Sequence, residues 1–325
     1  MSVSGELART LAQGDRRALS KAITLVESSL EADREATREL LAQLPVGPSR
    51  TFRLGVTGVP GAGKSTLIDA LGLEAIAAGH RVAVLAIDPS SRQSGGSVLG
   101  DKTRMTRLSA DAAAFVRPSP TLGALGGTAG RTREVISLCE AAGYDVVFVE
   151  TVGVGQSEEL VASMVDCTLL VLLAGAGDEL SSMKRGVLEA ADAIAFNKAD
   201  GNRMHAVHNE AASLRASLSI SRAQRMPEVS VLSALEGSGV AALWEALSLQ
   251  HSQAERRGEV SARRSAQRQV WFESALDEAL REIFIRRPEL ASAREAAARS
   301  VEQGTIAPLE AAHRLVAACL PPRSD

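Results

Sequence analysis

The chain has 325 residues, 36 Lys and Arg against 39 Asp and Glu, a formal net charge of −3, and is 45% hydrophobic but only 3% aromatic. That length suits one core of about 200 residues with additions at its ends. The near-balanced charge removes the electrostatic case for nucleic acid or an anionic membrane as the main partner. No apolar run approaches the roughly 20 residues that span a bilayer. The longest, Thr168 to Ala176, follows Asp166 and reads as a buried strand. The N-terminus mixes Glu6, Arg9, Asp15, Arg16 and Arg17 without an apolar stretch, so no secretory signal is expected and a reducing cytoplasm is the expected compartment. Cys139, Cys167 and Cys319 form no C-x-x-C pair and read as buried free thiols.

In chain order, Leu7, Leu11, Leu19, Ile23, Val26 and Leu30 recur at helical spacing. Residues 1–48 therefore read as a helical N-terminal extension, closed by the breakers Pro45-Val46-Gly47-Pro48. From Phe52 the pattern changes to short apolar runs separated by helical stretches: Phe52–Thr57, Arg81–Ile87, Ala113–Arg117, Asp145–Glu150, Cys167–Leu173, Ala193–Asn197 and Glu228–Ser233. Strands alternating with helices predict an α/β fold over residues 49–250, with a mainly parallel central sheet flanked by helices. Residues 251–325 read as a helical C-terminal extension. Its arginines Arg256, Arg257, Arg263, Arg264 and Arg268 suggest a solvated face. Val270, Trp271, Leu276, Leu280 and Phe284 make an apolar stripe for the core or for a second copy of the chain.

The run Gly58-Val59-Pro60-Gly61-Ala62-Gly63-Lys64-Ser65-Thr66 follows the first strand and opens a helical stretch, the context a P-loop requires. Glycines allow backbone N–H groups to turn toward a polyphosphate, Lys64 would reach the β and γ phosphates, and the Ser65 hydroxyl would bind Mg²⁺. In parallel sheets ligands bind at the carboxyl ends of strands, where Asp88, Glu150, Asn197 and Ser233 all fall.

Asn197-Lys198-Ala199-Asp200 names the base. Guanine presents N1–H and N2–H₂ as two parallel donors, which the Asp200 carboxylate would accept together. Adenine would leave buried polar groups unpaired, a strong ground for rejection. Asn197 would brace the loop and the Lys198 stem would lie along the base. Ser233-Ala234-Leu235, after the last strand, would offer a backbone N–H to guanine O6.

Glu150-Thr151-Val152-Gly153 puts an acid and a glycine where hydrolases of this kind sense the γ-phosphate. Mg²⁺ prefers oxygen ligands with several waters, and Ser65 with one or more of Asp88, Asp101 and Glu150 would supply them. Lys64, Glu150 and Asp88 are the candidate catalytic groups. The segment from Gly95 to Met105 is long for a compact domain, which marks it as functional or mobile.

On Gly55 to Thr66, Asp88-Pro89-Ser90-Ser91, Gly95 to Met105, Glu150 to Glu158 and Asn197 to Asp200, the chain resembles the MeaB-type P-loop GTPases, relatives of the methylmalonic aciduria type A protein. That group was long labelled ArgK or lysine-arginine-ornithine transport ATPases. The resemblance spans about residues 5–290 and implies a homodimeric, Mg²⁺-dependent GTPase. Such a protein chaperones an adenosylcobalamin-dependent acyl-CoA mutase, with slow intrinsic turnover raised by that partner. It further implies that Gly175 to Leu180, with Lys184 to Gly186, is a third switch, although Ser181-Ser182-Met183 departs from the family pattern. A transport-linked ATPase or kinase and a nickel-insertion GTPase are the rival readings.

Overall fold

The computed structural model describes residues 3–28, 30–45, 49–88, 105–120, 127–151, 160–175, 188, 190–220 and 226–318. Three helices come first, α1 (Val3–Ala12), α2 (Arg16–Glu27) and α3 (Glu31–Leu41). The Asp15 carboxylate caps α2, accepting from Ala18 N at 2.7 Å. One face of α2, Leu19, Ile23 and Val26 among it, is buried.

Seven strands follow: β1 (Phe52–Gly58), β2 (Val82–Asp88), β3 (Ala114–Pro120), β4 (Val146–Thr151), β5 (Cys167–Leu173), β6 (Ala193–Asn197) and β7 (Glu228–Val231). They form one sheet ordered β3-β2-β4-β1-β5-β6-β7, with every neighbouring pair parallel. β4 and β6 are buried at every position, as continuous apolar strands covered on both faces should be. Each expected strand is present, with differences only at the ends. β7 stops at Val231 because Ser233 turns away to pair with Ser238 in an antiparallel bridge.

The intervening helices are α4 (Lys64–Ala77), α5 (Thr106–Ala110), α6 (Gly127–Ala141), α7 (Met204–Ile220) and α8 (Val240–Arg256). α4 packs on β1, β2 and β4 and against α8, α7 covers β6 and β7, and α2 lies against α6. β1 sits mid-sheet, with the chain first leaving it toward β2 and β3 and later continuing on its other side through β5. Such a reversal is where open α/β sheets place their ligands. Among the described residues no helix is long and apolar enough to cross a membrane.

Three more helices end the chain: α9 (Glu259–Arg286), α10 (Pro288–Glu302) and α11 (Pro308–Ala317). By contacts the chain divides into Met1–Arg268 and Gln269–Asp325. In the second unit α10 packs on α11, and Phe272, Leu276 and Leu280 are exposed.

The arginine run is a solvated face only in part. Val260, Arg264 and Gln267 fall on one side of α9 and are buried, whereas Arg256, Arg257 and Arg268 are exposed. Arg264 Nε donates to Asp166 Oδ1 at 2.7 Å, its Nη2 reaches Asp166 Oδ2, and its Nη1 donates to Ser49 O at 2.6 Å. Arg263 makes a two-pronged contact with Asp192, both distances 3.0 Å. Gln267 Nε2 donates to Val165 O at 2.9 Å. This face of α9 is thereby tied to the segment leading into β5.

Beside this contact His251 stacks on Phe52 with ring centroids 4.2 Å apart. It shares a small cavity, about 30 Å³, with Asp166, Asp192, Glu259 and Arg263. Burial is the largest influence on the imidazole and holds its pKa below the ordinary 6.5, against Asp166 and Glu255 and with Arg264. The folded chain therefore favours neutral His251, while the unfolded chain takes up a proton near pH 6.5. This stabilisation is complete above that pH and is lost as pH falls below it. Urea midpoints should fall more between pH 7.5 and 5.5 for the wild type than for His251→Gln, and equal falls would count against it.

Candidate nucleotide site

The loop after β1 is built around positions where a side chain does not fit. Gly58 has φ 144°, and a Cβ there would lie 2.1 Å from Val171 O. Gly63 has φ 85° and caps α4, and a Cβ there would meet Asn197 Nδ2 at 2.6 Å. The first turn of α4 therefore presents its N–H groups and its positive end to this loop. Lys64 is 7% exposed and folds back across the loop, donating to Gly58 O at 2.8 Å and Val59 O at 3.1 Å.

Ser65 Oγ donates to Glu150 Oε1 at 2.7 Å, joining the start of α4 to the end of β4. Thr151 Oγ1 donates to Thr57 Oγ1 at 3.1 Å alongside. The buried Ser65 and Glu150 oxygens are the hard-donor chemistry that suits Mg²⁺. The side-chain-free loop at a helix N-terminus suits a polyphosphate in the same way. Asp88 closes β2. Asp101, Gly153 and Ala176 to Gly186 of the expected third switch lie outside the described residues, as does most of the segment from Gly95 to Met105.

Asn197 joins three segments. Its Nδ2 donates to Ala62 O at 2.8 Å and its Oδ1 accepts from Ala234 N at 3.0 Å. Its neighbour Lys198 has φ 60°, an uncommon conformation for a side chain with a Cβ. Such conformations cost of order 1–3 kcal/mol and persist where the surroundings enforce them. Ser233 Oγ donates to Asp200 Oδ2 at 3.0 Å, and Arg203 pairs with the same carboxylate. The Arg203 hydrogen bond, the largest influence, holds the Asp200 carboxyl below its ordinary pKa. Pro60, Gly61 and Thr66 are exposed along the rim, and Leu235 is 81% exposed.

Three residues of this region escaped the sequence reading. Asp69, buried on α4, accepts from Leu108 N at 2.9 Å and fixes the start of α5. Glu210 Oε1 accepts from Gly175 N at 2.6 Å just beyond β5. Arg203 is the third. Asp69 carried a signal, an acid flanked by apolar residues within the helix. Glu210 and Arg203 stand in polar helical and turn sequence and carried none.

Comparison with known proteins gives a consistent result. Residues 19–289 match the family model described as methylmalonyl Co-A mutase-associated GTPase MeaB. A protein named "Probable GTPase" from Mycobacterium tuberculosis is 45% identical over 95% of this chain and 93% of its own. The mouse mitochondrial methylmalonic aciduria type A homolog is 41% identical over 95% of this chain and 77% of its own. The crystal structure of a LAO/AO transport system kinase superposes with TM-score 0.73 at 34% identity, covering 97% of both chains.

Proposed function

Because the chain belongs to the MeaB family of methylmalonyl Co-A mutase-associated GTPases, we propose that it hydrolyses GTP to GDP and phosphate as a chaperone of an adenosylcobalamin-dependent acyl-CoA mutase. In this role it gates cofactor loading and protects or reactivates the mutase. The observation that carries the guanine reading is Asn197, which binds the phosphate loop at Ala62 and the base-side loop at Ala234 at once. Asp200, in the same element, is supported from beneath by buried Ser233.

In this reading Lys64 exchanges the carbonyls of Gly58 and Val59 for phosphate oxygens. Ser65 and Glu150, with Asp88 and Asp101, would hold Mg²⁺, which when bound neutralises phosphate charge. Glu150 would also orient the attacking water, and Gly153 would sense the γ-phosphate. Asp200 and Asn197 fix the guanine end, with Lys198 along the base and the Ala234 loop toward O6. Catalysis of this type is positioning plus electrostatics and stays slow until a further positive charge arrives. Arg104, Arg107, Lys184 or a mutase residue would supply it.

GTP turnover is therefore expected to be slow alone and to rise at least about tenfold with the partner mutase, as arginine-finger systems do. Fast basal hydrolysis indifferent to every acyl-CoA mutase would remove the chaperone role. A solved relative is named a transport system kinase, which favours ATP instead. Asp200 disfavours adenine, and ATP displacing labelled GDP as well as GTP does would restore that rival.

Two further expectations complete the proposal. Phe272, Leu276 and Leu280 recur every four residues on α9 and are exposed, which supports homodimerisation through this stripe. Cys139 and Cys167 are free and buried, which accords with a reducing cytoplasm.

A further inference from the structure

Both oxygens of the Asp200 carboxylate are engaged by side chains of the protein itself. Ser233 Oγ donates to Oδ2 at 3.0 Å and Arg203 Nη2 donates to Oδ1. The two donors differ in how firmly they are held. Ser233 is fully buried, its backbone N bonds Ser238 O at 2.9 Å, and its hydroxyl also accepts from Glu236 N at 3.2 Å. The Arg203 side chain is 59% exposed, and its guanidinium makes no other hydrogen bond among the described residues.

Guanine needs both oxygens of a carboxylate, one for N1–H and one for N2–H₂. A hypoxanthine base has N1–H alone and needs only one. We infer that Arg203 is a displaceable guard on the guanine site. It holds the Oδ1 side of Asp200 until the second donor of guanine takes its place. The inference rests on the reading of Asp200 as the guanine acceptor. Arg203 is the exposed member of this pair, at 59% against 13% for Asp200, so its hold is open to water and screened by salt, and a base with two aligned donors can displace it. Hypoxanthine can bond Oδ2 and leave Arg203 where it is. Arg203 thus lowers guanine affinity selectively, and removing it should sharpen the preference for guanine over hypoxanthine.

The test is competition of GDP and IDP against a fluorescent GDP analogue, on wild type, Arg203→Ala and Asp200→Ala. IDP carries the same phosphates, so any general effect of removing a positive charge cancels in the ratio of the two affinities. Arg203→Ala should raise the GDP-to-IDP preference by up to about fivefold, the range of an exposed ion pair. In the wild type that preference should also climb as KCl is raised, and in Arg203→Ala it should be flat. A ratio that is unchanged or lower in Arg203→Ala overturns the guard, the lower value marking Arg203 as a brace instead. Asp200→Ala separates the two levels. If it keeps wild-type GDP affinity, the guanine reading itself fails. If it loses GDP while Arg203→Ala changes nothing, only the guard fails.

Discussion

Lys64→Ala is expected to lower GTP hydrolysis by about 10²–10³-fold, the loss typical of one preorganised donor at a developing negative charge. The same change should move the unfolding free energy by about 0.5–3 kcal/mol, the common range for single substitutions, and leave the protein folded. The contrast follows from what Lys64 touches. Its ammonium bonds Gly58 O and Val59 O, two carbonyls of its own loop, and it lies outside the apolar core formed by β1, α4 and their neighbours. Truncation leaves those carbonyls less well satisfied but also removes a charge that is 7% exposed. GDP affinity should fall less than the hydrolysis rate, because the N–H groups of the loop and the α4 terminus are backbone features that the substitution keeps. Hydrolysis within tenfold of wild type, measured in single turnover at saturating GTP, would exclude Lys64 from the chemistry.

Legibility in the sequence depended on whether the cause was local. The central strands announced themselves because they are largely apolar runs that need cover on both faces, and β5 and β6 stand where those runs do. The phosphate loop was legible because backbone geometry restricts Gly58 and Gly63 to glycine. Asn197 and Asp200 stood out as a four-residue pattern at a strand end, and the structure brings Asn197 to Ala62 and Ala234. Pairings between distant residues were not. Arg264 meets Asp166 across 98 residues, and an arginine-rich run reads as solvated until the opposing carboxylate is located. Periodicity held a partial clue, since Val260, Arg264 and Gln267 repeat at helical spacing, but charge argued against burial. The expected metal shell of Ser65, Glu150, Asp88 and Asp101 is only partly visible. Ser65 and Glu150 meet directly, whereas Asp101 belongs to a polar segment with no apolar pattern to place it.

Arg264→Ala should lower the stability of the Met1–Arg268 unit by about 3–5 kcal/mol, the cost of breaking a buried ion pair by removing one partner. Asp166 is left behind, its side chain fully buried, with the Arg53 backbone N at 3.0 Å and the partly exposed Arg263 to offset the charge. The Ser49 and Thr51 carbonyls lose their donor at the same time. Arg263→Ala, at the adjacent residue but with a side chain 37% exposed, should cost only about 1 kcal/mol, because its pair with Asp192 is screened by water. Against a typical total of about 5–15 kcal/mol the first loss is a large fraction and the second is not. Replacing both Asp166 and Arg264 by leucine removes the stranded charge, so the double variant should recover part of what Arg264→Ala loses. Urea midpoints of the three variants decide the matter. Equal losses for Arg264→Ala and Arg263→Ala would show that burial of the Asp166 pair does not control how α9 is held to the sheet.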